Sequence, residues 1–462
     1  MCFMYNINFK QPLHVHFIGI GGISMSGLAE ILLKENFTVS GSDTKPSPLT
    51  ERLECLGATI FYPQKESNII EGIDVVVYTA AIRQNNPEFA EAIRRNLPLL
   101  SRAELLGQLM KNYETPIAIS GTHGKTTATS MLSHILLAAE KDPTISVGGI
   151  LKAINGNIRV GNSGFFLTEA CEYTNSFLDF FPKIAVILNV EEDHMDFFKD
   201  MDDILTSFHK FAALLPKDGL LVINKDIENS EVITSGLSCN ILTYSETKEA
   251  DYFASHVVFD AFGNASFDLI KHGKQTGHIK LSVPGTHNVS NALSVITVAD
   301  MLDIPFETIQ KGLLSFTGTD RRFEYKGERG GVTIIDDYAH HPTEIRATLT
   351  AAHNYPHKDI WCVFQPHTYT RTKAFFQEFA QALSLADHVI LADIYAARET
   401  DDLGVSSEAL ADEIKKLGVD AYYLPSFDAI ENFVLEKCIH GDVLITMGAG
   451  DVVNIGNELL KQ

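Results

Sequence analysis

Short runs of apolar residues alternate with longer amphipathic stretches along the whole chain. The runs fall at residues 15–18, 75–78, 117–119, 185–188, 334–335, 389–391 and 443–446. Runs this short, bounded by glycine or polar residues, are typical of buried strands, and the stretches between them have the spacing of amphipathic helices. The alternation predicts an α/β fold built on parallel sheets.

A strand-like run followed by a glycine-rich turn recurs at three places, near residues 15–22, 117–124 and 443–450. The recurrence suggests three doubly wound units. A length of 462 residues is enough for three domains that each bury a core. We therefore expect domains at residues 1–112, 113–318 and 319–462.

The second of these turns has the pattern of a loop that binds a nucleotide triphosphate. Its glycines let successive N–H groups face phosphate oxygens, and a helix predicted over 128–140 would offer its positive end to the same anion. Lys125 would reach the outer phosphates, and Thr126 would hold Mg²⁺. Ile119 stands where such loops usually have an early glycine or alanine, so we expect a shortened loop; an ordinary strand-to-helix turn is the alternative. The predicted nucleotide contacts are Gly121, Thr122, His123, Gly124, Lys125, Thr126 and Thr127.

The first glycine turn, which begins at Gly19, has the spacing of a dinucleotide-binding turn. Asp43 follows at the distance where an acidic residue meets a ribose hydroxyl in such folds. Ser24 replaces the third glycine of that fingerprint, which leaves open a nucleotide-diphosphate site, an NAD site and a structural turn. A nucleotide-linked substrate fits better than a redox cofactor in a chain that also carries a triphosphate loop.

Two strand-like runs after the loop end in acidic residues, which face the ligand crevice in an open α/β sheet. Glu169 ends the first run and is the first choice as a Mg²⁺ ligand, because this ion prefers oxygen ligands. The second run, a strand predicted over 184–190, leads to Asp193, His194 and Asp196. On residue type alone His194 fits a core histidine or hydrogen-bonding residue better than a ligand, and the two aspartates could equally cap a following helix.

Arginine and histidine clusters follow in the last third of the chain, at residues 321–324, 336–342 and 365–373. The planar fork of arginine suits phosphate and carboxylate recognition, because it donates two parallel hydrogen bonds. Surface salt bridges are the alternative. The order of the three clusters behind a triphosphate loop favours a ligand role.

The charge and cysteine content exclude several classes of protein. A net charge of −22 argues against a nucleic-acid or anionic-membrane binder, because these need a broad cationic surface. The N-terminus has no signal pattern and no apolar stretch is long enough to span a membrane, so we expect a cytoplasmic protein. The six cysteines are far apart, which predicts free thiols rather than a zinc site or disulfides.

Taken together, these segments resemble the Mur ligases, and the resemblance covers the whole chain. His123 in the loop and the Met-Ser-Gly of the first turn are similar to the branch of the family that adds alanine. The motifs that carry the resemblance are GIGGISMSG (19–27), TAAI (79–82), NPE (86–88), RAELL (102–106), GTHGKTT (121–127), DHMD (193–196), PGTHN (284–288), NA (291–292), RRF (321–323), DYAHHP (337–342) and FQPH (364–367).

The resemblance implies an ATP-dependent amide ligase of peptidoglycan precursor synthesis. It would join L-alanine to the lactyl carboxylate of UDP-N-acetylmuramate through an acyl phosphate, with ATP and two Mg²⁺ ions as cofactors. The implied architecture is a Rossmann-like N-terminal domain for the UDP substrate, a central P-loop ATPase domain, and a Rossmann-like C-terminal domain for the amino acid. Two other ligases are the nearest alternatives: one that recycles UDP-N-acetylmuramate with a preformed tripeptide, and a cyanophycin-type ATP-dependent ligase. A regulatory ATPase and an NAD-dependent oxidoreductase are the alternatives from other classes.

The resemblance also implies roles for individual residues. Thr126 and Glu169 would hold one Mg²⁺, and His194 would approach a second. The implied catalytic residues are Lys125, His194, His340 and Arg371. His287, Asn288, Asn291, Arg322 and Asp337 would complete the ATP site. The implied UDP-substrate contacts are Gly19, Gly21, Gly22, Ser24, Met25, Ser26, Asp43, Thr79, Arg102 and Ser176, and the implied amino-acid contacts are His367 and Arg371.

Several positions depart from the family pattern. Thr368 stands where some members carry an arginine that helps hold the alanine carboxylate. Cys171, Tyr173 and Thr174 stand where many relatives have Asp, Ser and Asp. Lys210 is the weak candidate for the modified lysine that several relatives use beside the second metal.

Overall fold

The computed structural model describes residues 5–79, 81–195, 197–397, 399–400 and 403–461. Ala80 and Asp196, which belong to two of the motifs above, lie outside the described residues. The chain packs into two compact units. The first contains Met1–Ala250 and Ser294–Gly312, and the second contains Asp251–Leu293 and Leu313–Gln462.

The first sheet of the first unit is parallel, with the strand order β3-β2-β1-β4-β5. Its strands are β1 His14–Ile18, β2 Thr38–Ser42, β3 Thr59–Phe61, β4 Val75–Tyr78 and β5 Leu99–Ser101. The helices between them are α1 Ile23–Lys34, α2 Pro48–Cys55, α3 Pro87–Arg94 and α4 Arg102–Met110. The strand β4 is a continuous apolar run and the central strand β1 is almost fully buried, as expected for a parallel sheet covered on both faces.

Beneath this sheet lies a fully buried carboxylate, Glu88. It accepts hydrogen bonds from Ser42 at 2.5 Å and from Asn68 at 2.5 Å, and it lies 3.4 Å from Nε2 of His16. Neither His16 nor Glu88 has exposed side-chain surface. Burial by itself would raise the pKa of Glu88, but these polar partners lower it below its ordinary value. The network ties α3 to the carboxyl end of β2.

The second sheet of the first unit has the order β8-β7-β9-β6-β10-β11-β12. All neighbouring pairs are parallel except β7 with β8. The strands are β6 Thr115–Ser120, β7 Thr144–Leu151, β8 Gly156–Arg159, β9 Phe165–Ala170, β10 Ile184–Ile187, β11 Leu220–Asn224 and β12 Asn240–Ser245. The helices are α5 Lys125–Ala138, α6 Met201–Ala212 and α7 Ser230–Thr234.

The two sheet layers of the first unit meet where α4 packs on the segment Tyr173–Asp179. Gly107 faces the carbonyl oxygen of Asp179 so closely that a Cβ on Gly107 would overlap it. At a second contact, Lys34 donates a hydrogen bond to the Val160 carbonyl at 2.6 Å. A missing side chain at position 107 therefore allows α4 to approach the chain just beyond Glu172.

Replacing Gly107 with alanine is expected to lower the free energy of unfolding by about 1–3 kcal/mol, because backbone rather than a flexible side chain must move. Urea unfolding measures the loss. Gly156→Ala is the matched control, since nothing lies within 4 Å of the added methyl group. Equal losses in the two variants would show that the close approach at Gly107 does not stabilise the fold.

The second unit contains an antiparallel ribbon and a six-stranded sheet. The ribbon strands are β13 Tyr252–Phe259, β14 Asn264–Lys271 and β15 Lys274–Pro284. The sheet has the order β16-β17-β21-β18-β19-β20, and only β16 is antiparallel to its neighbour. Its strands are β16 Glu324–Arg329, β17 Val332–Asp337, β18 Ile360–Phe364, β19 His388–Leu391, β20 Asp420–Tyr423 and β21 Val443–Met447.

Eight further helices lie within the described residues. The helices α8 His287–Met301 and α9 Phe306–Ser315 have residues in both units. The others belong to the second unit and are α10 Pro342–His353, α11 Tyr369–Ala374, α12 Phe376–Leu383, α13 Ser407–Lys416, α14 Phe427–Lys437 and α15 Val453–Lys461. In the part of the chain that is described, no helix is both long enough and apolar enough to cross a bilayer.

The α/β class and its parallel sheets are confirmed, and each predicted apolar run overlaps a strand. Two predicted bounds were wrong. The helix expected from residue 128 begins at Lys125, because the glycine before it already adopts a capping conformation. The strand expected over 184–190 ends at Ile187. The five cysteines within the described ranges are free, as predicted, and Cys2 lies outside them.

Candidate functional site

The loop between β6 and α5 turns tightly around Lys125. Its last residue, Gly124, has a φ of 81°, a left-handed conformation that favours glycine, and it caps α5. The Lys125 ammonium donates hydrogen bonds to the carbonyl oxygens of Gly121 and Thr122 and lies 2.9 Å from the Glu172 carboxylate. Burial by itself would lower the pKa of Lys125, but Glu172 raises it above the ordinary value. The lysine is therefore a charged group at the loop's phosphate-facing end.

The shortened loop predicted from Ile119 is confirmed. Ile119 is a fully buried residue of β6, which ends at Ser120, so the turn spans only residues 121–124. Thr126 and Thr127 lie in the first turn of α5, whose positive end faces the loop.

Asn189, which the sequence did not single out, lies just after β10 and fixes the loop that follows the neighbouring strand β6. Its side-chain oxygen accepts the His123 N–H at 2.7 Å, and its amide donates to the His123 carbonyl at 3.1 Å. The Thr122 hydroxyl in turn accepts the Glu191 N–H at 2.9 Å. These bonds hold the loop open in one conformation. Asn189 follows a buried strand, which is the only signal that the sequence offered for it.

Glu169 and Thr126 lie on either side of the same glycine pair in β7. The Glu169 carboxylate accepts the Gly148 N–H at 2.5 Å, and a Cβ on Gly149 would lie 3.2 Å from the Thr126 methyl group. A Cβ on Gly148 would lie 2.9 Å from the Glu169 carboxylate, so glycine at both positions lets β7 pass close to Glu169 and Thr126. Such oxygen donors fit Mg²⁺, which takes one or two protein groups and completes its shell with water and phosphate. The residues predicted for the first ion therefore suit it chemically.

His194 lies close to the same corner and has an unusual backbone. Its φ is 55°, which is uncommon for a residue with a side chain. Its Nε2 lies 3.9 Å from Oε1 of Glu172, and the side chain is 22% exposed. Asp193 accepts the His194 N–H at 2.7 Å, and α6 is capped instead by Asp200. The helix-cap interpretation of Asp193 was therefore wrong, and His194 is not a fully buried core histidine.

The first glycine turn brings together several of the predicted UDP-substrate residues. The Asp43 carboxylate accepts the Gly21 N–H at 2.8 Å, and a Cβ on Gly19 would lie 3.2 Å from Thr79. Arg102 donates to the Ser24 hydroxyl at 3.2 Å. Gly22 caps α1 without a side-chain bond, Met25 and Ser26 are buried in α1, and Ser176 donates to the Tyr173 carbonyl.

In the second unit, Asp337 lies at the carboxyl end of β17 next to Arg322. Asp337 is buried and accepts the N–H groups of Phe323 and Ala339. Burial raises its pKa to about 6, against the opposing effect of Arg322. Arg322 lies 3.8 Å from Glu344 and over the Tyr338 ring. Of the other residues predicted for ATP, His287 is close enough to Arg322 to feel its charge, and Asn288 and Asn291 are buried and hydrogen-bonded at the start of α8.

The residues predicted for the amino acid also lie together. The His367 ring is 6.0 Å from the His340 ring and stacks on Tyr395 at 5.6 Å, and Arg371 Nη1 lies 3.4 Å from His367 Nδ1. Burial, with the charges of His340 and Arg371, lowers the pKa of His367 to about 4. Thr368 has a φ of 66°, a strained value for a β-branched residue, at the start of α11.

The low pKa of His367 gives stability a defined pH dependence. Because the folded pKa is about 4 and the ordinary value is 6.5, the unfolded chain binds more protons between these pH values. The free energy of unfolding therefore falls as pH drops through this window. His367→Asn is expected to reduce the fall by about 1–2 kcal/mol between pH 7 and pH 4.5, because the imidazole is only partly buried and solvent screens its interactions. Urea unfolding at pH 7 and pH 4.5 measures it, with His272→Asn, whose side chain is 55% exposed, as the control; equal effects would contradict the assignment.

Three family profiles cover nearly the whole chain in order. The profile described as Mur ligase family, catalytic domain matches residues 14–114, Mur ligase middle domain matches 119–299, and Mur ligase, glutamate ligase domain matches 321–450. The chain belongs to the Mur ligase family. It is therefore an ATP-dependent amide ligase, as the resemblance implied, and the three-domain α/β architecture of the family is confirmed. The domain boundaries remain a prediction.

Individual relatives of this Mur ligase are similar over their full length. It is 57% identical over 459 residues to the UDP-N-acetylmuramate--L-alanine ligase of Agathobacter rectalis, covering 99% of this chain and 100% of that one. The ligase of the same name from Lachnoclostridium phytofermentans is 56% identical, with the same coverage. The crystal structure of the UDP-N-acetylmuramate-alanine ligase of Thermotoga maritima superposes with a TM-score of 0.81 at 29% identity, covering 97% of this chain and 98% of that one.

A murein peptide ligase is also similar to this Mur ligase. The enzyme from Psychrobacter arcticus superposes with a TM-score of 0.70 at 26% identity, covering 97% of this chain and 98% of that one.

Within each compact unit, the structure brings together predicted site residues that are far apart in the sequence. It adds Asn189, Glu344 and Tyr395, whose side chains pack against predicted site residues.

Proposed function

We propose that this Mur ligase joins L-alanine to the lactyl carboxylate of UDP-N-acetylmuramate, with conversion of ATP to ADP and phosphate through an acyl phosphate. The full-length identity of 57% and 56% to ligases of that name carries the proposal. The charged Lys125 at the tip of an intact phosphate loop supports it. A UDP-linked sugar and ATP as substrates agree with the expected cytoplasmic location.

Lys125 carries the main electrostatic role. A carboxylate is a poor electrophile, and transfer of the γ-phosphoryl group to it places a good leaving group on the acyl carbon. Negative charge moves over the phosphate oxygens during this transfer, and a fixed ammonium stabilises it. On nucleotide binding, phosphate oxygens would replace the Gly121 and Thr122 carbonyls as partners of Lys125. The Glu172 carboxylate keeps the ammonium protonated until then.

We further propose that two Mg²⁺ ions serve the reaction, one on Thr126 and Glu169 and one approached by His194. Bound Mg²⁺ would neutralise phosphate charge and orient the γ-phosphoryl group. This chain would supply one hydroxyl, one carboxylate and one imidazole to the two ions. Phosphate and water would fill most of the coordination positions, as Mg²⁺ prefers.

His340 is the proposed acceptor of the proton that the alanine amine must lose before attack. That amine has a pKa of ~8 or above and is mostly protonated at neutral pH. Nδ1 of His340 lies 3.3 Å from the Glu344 carboxylate, which stabilises the imidazolium formed by proton transfer. His367, with a pKa of about 4, is a weaker base. Arg371 next to it would instead hold the alanine carboxylate.

A phosphate-release assay with purified protein, ATP, Mg²⁺ and UDP-N-acetylmuramate tests the proposal against a panel of alanine, serine, glycine and the stem tripeptide. We expect release that requires both the sugar nucleotide and an amino acid, with alanine the best of the panel. Stimulation by the tripeptide but not by alanine would support the recycling ligase instead. Release without any amino acid would indicate a regulatory ATPase.

A further inference from the structure

An aromatic side chain that the mechanism does not use, Tyr173, stacks on His194. The two ring centroids are 4.4 Å apart and the ring planes differ by 28°. Tyr173 is 38% exposed, so burial in the core does not account for its position. It comes directly after Glu172, the partner of Lys125, at the start of a short 3₁₀ segment.

Two phenylalanines extend the stack into the protein. The Phe197 ring packs edge-on against Tyr173, with centroids 6.2 Å apart and planes at 78°. The Phe198 ring packs edge-on against the Phe197 ring, with centroids 4.9 Å apart, and Phe198 is only 3% exposed. We call His194, Tyr173, Phe197 and Phe198 the aromatic ladder. Its inner end is anchored in the core, and its outer end is the imidazole.

The backbone of His194 is fixed by hydrogen bonds and does not depend on the stacked rings. Its N–H donates to the Asp193 carboxylate at 2.7 Å, and its carbonyl accepts the N–H groups of Phe197 and Phe198 at 2.8 and 3.0 Å. These bonds hold the left-handed φ of 55°. They leave the side-chain torsions of His194 undetermined, and the Tyr173 ring is the aromatic contact that limits them.

We propose that Tyr173, supported by Phe197, is a positioning residue that holds the His194 imidazole toward Glu172 and Lys125 at the phosphate end of the loop. The inference rests on the proposed function, in which His194 meets a metal ion bound to the nucleotide. A side chain with 22% exposure would otherwise lose rotamer freedom when the ion binds. The stacked ring removes that freedom in advance. Only the ring face is needed, so phenylalanine should replace tyrosine.

The test uses the full-length protein with Mn²⁺ and ADP as the probe. Pulsed electron paramagnetic resonance detects nitrogen coupled to Mn²⁺ when an imidazole enters its coordination shell. We expect the nitrogen signal in the wild type and in Tyr173→Phe, and a weakened or absent signal in Tyr173→Leu. The affinity for the metal should fall about three- to tenfold in Tyr173→Leu and remain near wild type in Tyr173→Phe, because one aromatic contact has an effect of this size.

Two further variants separate the possible outcomes. His194→Ala identifies the source of the nitrogen signal, and Phe197→Leu should give a smaller loss of metal affinity than Tyr173→Leu. The melting temperature of each variant is measured as well. If a variant is as stable as the wild type but binds the metal more weakly, the loss of affinity is due to the position of His194. No nitrogen signal in the wild type would overturn the metal role of His194 and the positioning with it. A full signal and unchanged affinity in Tyr173→Leu would overturn the positioning alone and leave the ligase function intact.

Discussion

Replacing Lys125 with methionine is expected to lower kcat by about 10²–10³-fold, the size of effect seen when one preorganised charge-stabilising group is lost from an active site. The Lys125 ammonium donates hydrogen bonds to the loop carbonyls of Gly121 and Thr122 and also to the Glu172 carboxylate. Methionine keeps the length of the side chain and removes its charge. Steady-state phosphate release with saturating substrates measures the loss.

The same substitution leaves the Glu172 carboxylate, which is only 4% exposed, without its ion-pair partner. We therefore expect a lower melting temperature as well. The double variant Lys125→Met with Glu172→Gln should recover stability without recovering activity. Lys183→Met is the control, because Lys183 pairs with the exposed Asp218 outside the site. Recovery of turnover in the double variant would show that Lys125 acts through stability alone.

Replacing Glu88 with alanine is expected to lower the free energy of unfolding by about 3–5 kcal/mol, because several buried polar groups lose their hydrogen-bond partner at once. Glu88 and His16 have no exposed side-chain surface. The hydroxyl of Ser42 and the amide of Asn68 would lose their acceptor as well. Chemical unfolding of the variant and the wild type at pH 7 measures the difference.

A carboxylate on the same helix provides the control for Glu88. Glu91 pairs with Arg94 and Arg95, whose side chains are 71% and 38% exposed, so Glu91→Gln should have a much smaller effect. Acid dependence gives a second check. Because the folded pKa of Glu88 is lowered, its contribution to stability is present above the ordinary pKa and is lost as pH falls through the folded value. Equal losses at positions 88 and 91 would contradict the account.

The sequence predicted the elements that carry the site because their signals are local. The loop at 121–127 combines a buried strand, turn glycines and a helix, and the carboxylate Glu169 ends a strand. Both signals can be read from residue type and spacing alone. The approximate strand positions and the α/β class were predicted for the same reason.

The contacts between distant segments could not be read from the sequence. Asn189, which follows β10, binds the loop that follows β6. Arg102 of α4 donates a hydrogen bond to Ser24 of α1. The aromatic ladder joins residues on both sides of β10. Gly107 lacks a side chain, which permits the approach to Asp179. Such features depend on packing, which periodicity does not encode.

Transfer of oxygen from the substrate carboxylate to phosphate tests the central claim most directly. The protein is incubated with ATP, Mg²⁺, L-alanine and UDP-N-acetylmuramate labelled with ¹⁸O in its lactyl carboxylate, and the products are analysed by mass spectrometry. An acyl phosphate at the Lys125 loop predicts an alanine amide of the sugar nucleotide and one ¹⁸O atom in each released phosphate. Phosphate without ¹⁸O, or release of phosphate with no amide product, would contradict the account.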